Sequence, residues 1–209
     1  MIRALLWLAL ALSGSCAAAL AADSPAVAKP IGGGCDGCEL IFAGLPQTLH
    51  WQTTIGDDAS GEPLEIAGHI YQADGKTPAA DVTLYFYHTD AQGFYSPAHD
   101  QKAGARHGRL RGWIKTGADG RYKFRTIRPG AYPGRDVPAH IHPIIMERGK
   151  NEYYIDDYLF DDDPLLTREK RAAQEDRGGR GVVRLVKNTE GVWSGQRDII
   201  LGRKIPDYR

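Results

Sequence analysis

Residues 82–88 read VTLYFYH, a run that is dense in β-branched and aromatic side chains. Such side chains fit the pleated surface of a sheet, so the run predicts a strand. Residues 64–71, LEIAGHIY, alternate apolar and polar side chains, which is typical of a strand with one buried face. Similar short runs at 112–116, 121–125 and 140–147 are separated by turns that contain glycine or proline. The pattern predicts an all-β protein.

The second half of the chain adds strands and one short helix. Residues 153–160 are expected to form one strand, and the runs 182–186 and 198–201 are expected to close the fold. Residues 167–177 are highly charged and predict a short surface helix, with the Thr167 hydroxyl as N-cap. Many short strands with little helix indicate a β-sandwich with long loops.

Two connections stand out. Asp119-Gly120 separates two alternating runs, and an Asp-Gly pair in that position is a strong hairpin signal. We therefore expect residues 112–116 and 121–125 to pair within one sheet. Residues 90–111 form a long polar excursion, and loops of that length in a compact domain are usually functional or mobile.

Length and charge limit the classes of function. The 209 residues suit one domain with tails, and we assign residues 61–209 to the β-sandwich. Lys and Arg number 26, as do Asp and Glu, so the formal net charge is zero. A neutral chain has no overall field that would attract nucleic acid or an anionic membrane, so neither is expected as a partner.

Residues 1–22 have the pattern of a signal peptide. Arg3 provides the positive start, and the apolar run 5–12 is too short to span a bilayer. We expect cleavage near Ala21 or Ala22 and export to the periplasm or the extracellular space. Cys16 raises a lipoprotein anchor as an alternative, but the residues before it match a lipobox poorly.

Residues 23–60 are rich in Gly, Ala and Pro and are predicted to be an N-terminal arm. The arm contains Cys35 and Cys38, which we expect to form a small disulfide in an oxidising compartment. A redox-active pair is an alternative, although such a motif normally follows a strand and opens a helix. A zinc site would need two further ligands nearby, and none is present.

His140 and His142 form the closest pair among the seven histidines. Residues two apart on a strand point to the same face, so both rings can hold one metal ion. Tyr132 lies eight residues before His140, between Gly130 and Pro133, and can add a phenolate oxygen. Nitrogen together with phenolate favours a hard, oxidised metal such as Fe(III).

The segment 126–133, TIRPGAYP, followed by PAHIH at 138–142, resembles the core signature of the intradiol ring-cleavage dioxygenases. These enzymes include the catechol, protocatechuate and hydroxyquinol dioxygenases. Residues 93–95, Gly-Phe-Tyr, resemble the family's segment that carries a further tyrosine ligand, and the 112–124 region is also similar. The resemblance covers about residues 63–164.

The resemblance implies a prealbumin- or immunoglobulin-like β-sandwich that holds non-haem Fe(III). By position, the ligands would be the phenolates of Tyr95 and Tyr132 with the imidazoles of His140 and His142. The implied substrates are an aromatic diol and O2, and cleavage between the hydroxylated carbons would give a muconate-type diacid. Tyr132 is the expected catalytic base. The resemblance leaves open whether the protein forms a homo-oligomer.

The chain departs from the family around the substrate. Val137 stands where the family has an arginine that is thought to stabilise charge on the bound diol, and Arg135 is two residues earlier. On a regular strand Arg135 and Val137 would share a face, so we predict that Arg135 takes that role. Asp157 aligns with a family glutamine, and with Val137 it is expected to lie at the substrate.

Two other interpretations compete. Gly134, His140, His142 and Glu147 match most of the first cupin motif, but a cupin needs a later histidine and none follows His142. The region 68–132 also resembles prealbumin-like repeats of non-catalytic binding modules, in which the aromatic residues are purely structural. Metal content would separate the second interpretation from the dioxygenase.

Overall fold

The computed structural model describes residues 29–35, 37–96 and 107–209. The predicted signal peptide, Cys16 and part of the 90–111 loop lie outside the described residues. Within them, no helix is both long and apolar enough to cross a membrane.

Two six-stranded sheets are formed by the described residues. In chain order the strands are β1 Gln52–Thr54, β2 Pro63–Tyr71, β3 Thr83–His88, β4 Arg111–Lys115, β5 Arg121–Ile127, β6 His140–Met146, β7 Tyr153–Tyr154, β8 Tyr158–Phe160, β9 Val182–Val183, β10 Val186–Lys187, β11 Trp193–Gln196 and β12 Ile199–Ile200. One sheet has the order β1-β5-β2-β11-β10, with β12 also on β2, and the other has β4-β3-β6-β8-β9, with β7 also on β6. The expected all-β sandwich is confirmed.

The main core lies between the inner faces of the two sheets. Leu64, Ile66 and Ile70 of β2 are fully buried, as the alternation predicts. Phe124 of β5 stacks on Phe86 of β3 with ring centroids 4.0 Å apart, which joins the two sheets at the centre. This core holds β6, and therefore His140 and His142, at a fixed position in the second sheet.

The N-terminal arm covers the outer face of the second sheet. A disulfide joins Cys35 and Cys38, and a 3₁₀ helix, Cys38–Phe42, follows it directly. Ile41 of this helix is fully buried against Tyr85 and Tyr87 of β3. Further along, β1 extends the first sheet by pairing in parallel with β5. The arm therefore covers the outer face of the second sheet and adds a strand to the first.

The predicted hairpin at 118–120 is wrong. Strand β4 pairs with β3 in one sheet, whereas β5 pairs with β2 in the other. The Gly120 carbonyl accepts a hydrogen bond from the Ile70 amide of β2, at 2.8 Å, which draws the turn onto the first sheet. Ile114 and Phe124 both enter the core from opposite sheets, and that burial prevails over the local hairpin signal.

Three other predictions are refined. The single strand expected at 153–160 is interrupted, because β7 and β8 flank residues 155–157. The run 182–186 is divided between β9 in one sheet and β10 in the other. The predicted helix is present but shorter: α1 spans Arg168–Ala172, and the Thr167 hydroxyl accepts a hydrogen bond from the Lys170 amide.

His88, at the end of β3, is buried within the sandwich. Its Nδ1 lies 2.7 Å from the Thr89 carbonyl oxygen, and its Nε2 lies 2.7 Å from the Thr126 hydroxyl. A neutral ring that donates from Nδ1 and accepts at Nε2 satisfies both contacts. Burial lowers the pKa of His88 to about 4.

We predict that acid weakens the fold through His88. Because the pKa is about 6.5 in the unfolded chain and about 4 in the folded one, the unfolded state binds more protons between those values. The free energy of unfolding should therefore fall by about 3 kcal/mol as the pH drops through this window. Denaturant titrations should show a shallower pH dependence for His88→Gln than for the natural chain, and equal slopes would contradict the prediction.

Gly93 allows two loops to meet closely. Its φ is 86°, and a Cβ atom there would overlap the carbonyl oxygen of Ala131, which precedes Tyr132. Gly134 has a similar φ of 70°, but a Cβ atom there would meet no atom within 4 Å. The two glycines therefore share a backbone conformation and differ in the space around them.

We predict that Gly93→Ala destabilises the protein more than Gly134→Ala. Each substitution incurs about 1 kcal/mol for a left-handed alanine, and Gly93→Ala adds roughly 1–3 kcal/mol for the collision with Ala131. Chemical denaturation of the two variants measures the difference. Equal losses of stability would show that the loops can separate without cost.

Candidate metal centre

Four side chains converge at one end of β6. The Nε2 atoms of His140 and His142 are 3.0 Å apart, and the Tyr132 hydroxyl oxygen lies 3.1 Å and 3.3 Å from them. The Tyr95 hydroxyl oxygen lies 2.6 Å from that of Tyr132 and 3.1 Å from His142 Nε2. Two nitrogen and two oxygen donors thus surround one point.

Strand pairing and loop contacts place these donors. His142 is opposite Tyr87 of β3, and His140 is opposite Leu159 of β8, so both histidines lie on a central strand. The loops that carry Tyr95 and Tyr132 are joined by a hydrogen bond of 2.8 Å from the Gly130 amide to the Asp90 carbonyl. Tyr95 and Tyr132 therefore approach the strand together.

The outer ring nitrogens fix the orientation of both imidazoles. His140 Nδ1 lies 2.7 Å from the Pro138 carbonyl oxygen, which accepts only, so this nitrogen donates. His142 Nδ1 lies 2.8 Å from Asp157 Oδ1 and donates in the same way. Each neutral ring therefore directs the Nε2 lone pair at the common point.

The ionisation of these groups fits a cation. Burial, together with the neighbouring His142, lowers the pKa of His140, which favours its neutral, ligating form. Burial and the hydrogen bond with Tyr132 raise the pKa of Tyr95, so this phenol ionises near neutral pH only with a cation beside it. Two facing lone pairs and two phenols are a donor set that a metal ion satisfies.

Asp157 acts behind His142 in this arrangement. One oxygen of Asp157 lies close enough to His140 and His142 for a three-ligand site, with ligand atoms within 4.8 Å of one another. That oxygen, however, accepts the Nδ1 hydrogen of His142. Burial raises the pKa of Asp157, but its electrostatic interaction and hydrogen bond with His142 outweigh burial and lower the pKa overall. Asp157 is therefore an ionised carboxylate that orients the His142 ring.

A cavity of about 340 Å³ opens beside His140. Val137 and Asp157, the two predicted substrate residues, both belong to its wall. Arg135 does not: it is exposed, and its amide donates to the Tyr132 carbonyl in a turn. Strand β6 begins only at His140, so no strand alternation relates Arg135 to Val137. The role of Arg135 at the substrate stays a prediction.

Sequence patterns missed two neighbours of the centre. Tyr87 lies with its ring 4.7 Å from that of His142, and its hydroxyl is 2.9 Å from the Tyr154 hydroxyl. Alternation within β3 would have placed Tyr87 on this face once β3 and β6 were paired. Lys170 lines the cavity from α1, and no local pattern indicates that α1 lies there.

Comparison with known proteins identifies the family. The family model described as Dioxygenase matches residues 42–192, which include all four donors. Catechol 1,2-dioxygenase 1 of Acinetobacter lwoffii is 33% identical over 172 residues, covering 65% of this chain and 54% of that protein. Catechol 1,2-dioxygenase of Acinetobacter baylyi is 30% identical and covers 62% and 49%. The chain spans about half the length of these relatives.

The fold agrees with this similarity. The dioxygenase domain of a dioxygenase and carbohydrate-binding protein fusion from Streptomyces sp. SirexAA-E is 26% identical, with a TM-score of 0.54. The match covers 75% of this chain and 91% of that domain. Neither the cupin motif nor a bare prealbumin-like repeat accounts for a match of this extent together with four convergent donors. The chain belongs to the intradiol ring-cleavage dioxygenase family.

Proposed function

We propose that this protein is a non-haem Fe(III) dioxygenase that uses O2 to cleave a catechol-type ring between its two hydroxylated carbons. The product would be a muconate-type diacid. The observation that carries the proposal is the convergence of Tyr95, Tyr132, His140 and His142 within 3.3 Å of one another along five contacts. Similarity to catechol 1,2-dioxygenases supports the substrate class.

The donor set favours iron in its trivalent state. Two phenolates would supply two negative charges to a hard cation, and two neutral imidazoles would complete the set. Bound Fe(III) would act as a Lewis acid toward the two diol oxygens. The family is iron-dependent, which agrees with the chemistry of these four residues.

We propose Tyr132 as the residue that moves a proton. Its hydroxyl oxygen lies within 3.3 Å of both histidine nitrogens and of the Tyr95 oxygen, so it is the most central of the donors. As a phenolate, Tyr132 can accept a hydroxyl proton from the incoming diol.

Activity and colour test the function together. Iron-loaded protein should absorb visible light through phenolate-to-iron charge transfer, and it should consume O2 with catechol. Tyr132→Phe should lower oxygen uptake by a factor of about 100 or more, in the range of a lost general base. Tyr71→Phe, on β2 of the other sheet, is the matched control and should keep both properties.

Two results would refute the proposal. One is a protein that stays colourless after reconstitution with iron. The other is Tyr132→Phe with oxygen uptake equal to that of Tyr71→Phe, since the tyrosine would then have no part in the chemistry.

Asp157 should strengthen the centre through His142. An ionised acceptor at Nδ1 raises the basicity of the ring and fixes its orientation, and removal of such partners typically weakens metal binding by about 10–100-fold. Asp157→Asn keeps the shape and removes the charge. We predict a loss of iron affinity of that size, measured by competition with a chelator.

Asp74→Asn provides the control for this measurement. Asp74 is an exposed carboxylate that accepts a hydrogen bond from the Thr77 hydroxyl in the turn after β2, a strand of the other sheet, so its loss should leave iron affinity unchanged. If Asp157→Asn binds iron as tightly as Asp74→Asn, the carboxylate has no role in metal binding.

A further inference from the structure

The cavity beside His140 is larger than a catechol ring needs. Its volume is about 340 Å³. A cavity of about 150 Å³ already accommodates benzene in a protein interior. Much of the wall is apolar, since Val137, Leu159 and Leu166 line it with Pro138 and Ala173. A ring bound at the metal would leave a substantial apolar volume unfilled.

A second cavity of about 370 Å³ adjoins the first. The two share three wall residues, Asp157, Ala173 and Gln174, so they meet at the C-terminal end of α1. Ala173 has the smallest side chain at this junction. The Gln174 amide nitrogen donates to the Lys170 carbonyl at 3.0 Å, which holds the Gln174 side chain along the helix end. A substituent on the ring can therefore extend past Ala173.

The charges along this path disfavour an anion. Among the described residues that line the first cavity, Asp136 and Asp157 face a single cation, Lys170. The Lys170 ammonium group donates to Asp136 Oδ1, the Asp136 carbonyl and the Leu165 carbonyl, at 2.6, 2.9 and 3.1 Å, so its three hydrogens are engaged. A carboxylate on the substituent would meet like charges without a free donor on Lys170.

The charges around the second cavity also disfavour an anion. Its wall, as far as the structure describes it, adds the carboxylates of Asp156 and Glu175 and one cation, Arg177. The Arg177 guanidinium donates to the Gly32 carbonyl of the arm at 3.0 Å. In both cavities the described wall residues therefore include more negative than positive side chains, which disfavours an anionic substituent relative to a neutral one.

We propose that the preferred substrate is a catechol with an uncharged substituent of several non-hydrogen atoms, seated across Ala173 and Gln174. Catechol itself would fill too little of the cavity, and a carboxylated catechol would be repelled. This inference rests on the proposed function, because that function places the diol at the metal.

Matched substrates test size and charge separately. We compare catechol, 3-(3,4-dihydroxyphenyl)propanamide and 3-(3,4-dihydroxyphenyl)propanoate, of which the last two differ in charge and hardly in shape. The amide should exceed both others in kcat/KM by about tenfold or more, as expected for burial of several atoms and for avoided charge repulsion. Anaerobic calorimetric titration, which does not depend on turnover, should show that the amide binds more tightly, with a lower Kd, than the other two diols.

A variant tests the location. Ala173→Phe should obstruct the junction and bring the ratio of kcat/KM for the amide to that for catechol down toward one. Ala172→Phe is the control: Ala172 is exposed on α1 and belongs to neither cavity wall, so the ratio should persist.

The outcomes separate the two proposals. Turnover of catechol with equal or better kcat/KM than the amide, or a preference for the propanoate, would overturn this inference and leave the dioxygenase intact. An unchanged ratio in Ala173→Phe would overturn the assigned location. Failure of all three diols to bind or react would refute the proposed function, and this inference with it.

Discussion

The orientation of two imidazole rings is the constraint on which the centre depends. The Pro138 carbonyl and the Asp157 carboxylate each take the Nδ1 hydrogen of one histidine, so both Nε2 lone pairs must face inward. At 3.0 Å those lone pairs repel each other unless a proton or a cation lies between them. The two histidines therefore require a positive charge between their Nε2 atoms. The two phenols from neighbouring loops lie close enough to bind the same cation.

That constraint relies on elements distant in sequence. Asp157 reaches His142 because the chain leaves the sheet between β7 and β8, and residues 155–157 interrupt what would otherwise be one strand. The Asp163 carboxylate accepts a hydrogen bond from the Ala139 amide at 2.7 Å, just before His140. Acidic residues of this region thus support the backbone and the side chains of the centre.

The sequence predicted what is governed by periodicity and by motif. The strands and the Thr167 cap follow from side-chain patterns within each element, and the resemblance indicated Tyr95, Tyr132, His140 and His142. Sequence patterns missed the features that depend on contacts between elements distant in the chain. The Asp119-Gly120 turn carries a hairpin signal, yet core burial divides its two strands between sheets. Arg135 was expected on a strand that begins only at His140, and Lys170 reaches the cavity through the placement of α1.

Strand β3 has a consequence of its own. All six of its residues are buried, because the core covers one face and the arm covers the other. Removal of residues before Gly44 would take Ile41 away from Tyr85, Tyr87 and Ile144 and so expose part of this apolar cluster. Surfaces of that kind promote association between molecules. The arm therefore serves as an apolar cover for this cluster, and the disulfide closes the chain directly before the helix that carries Ile41.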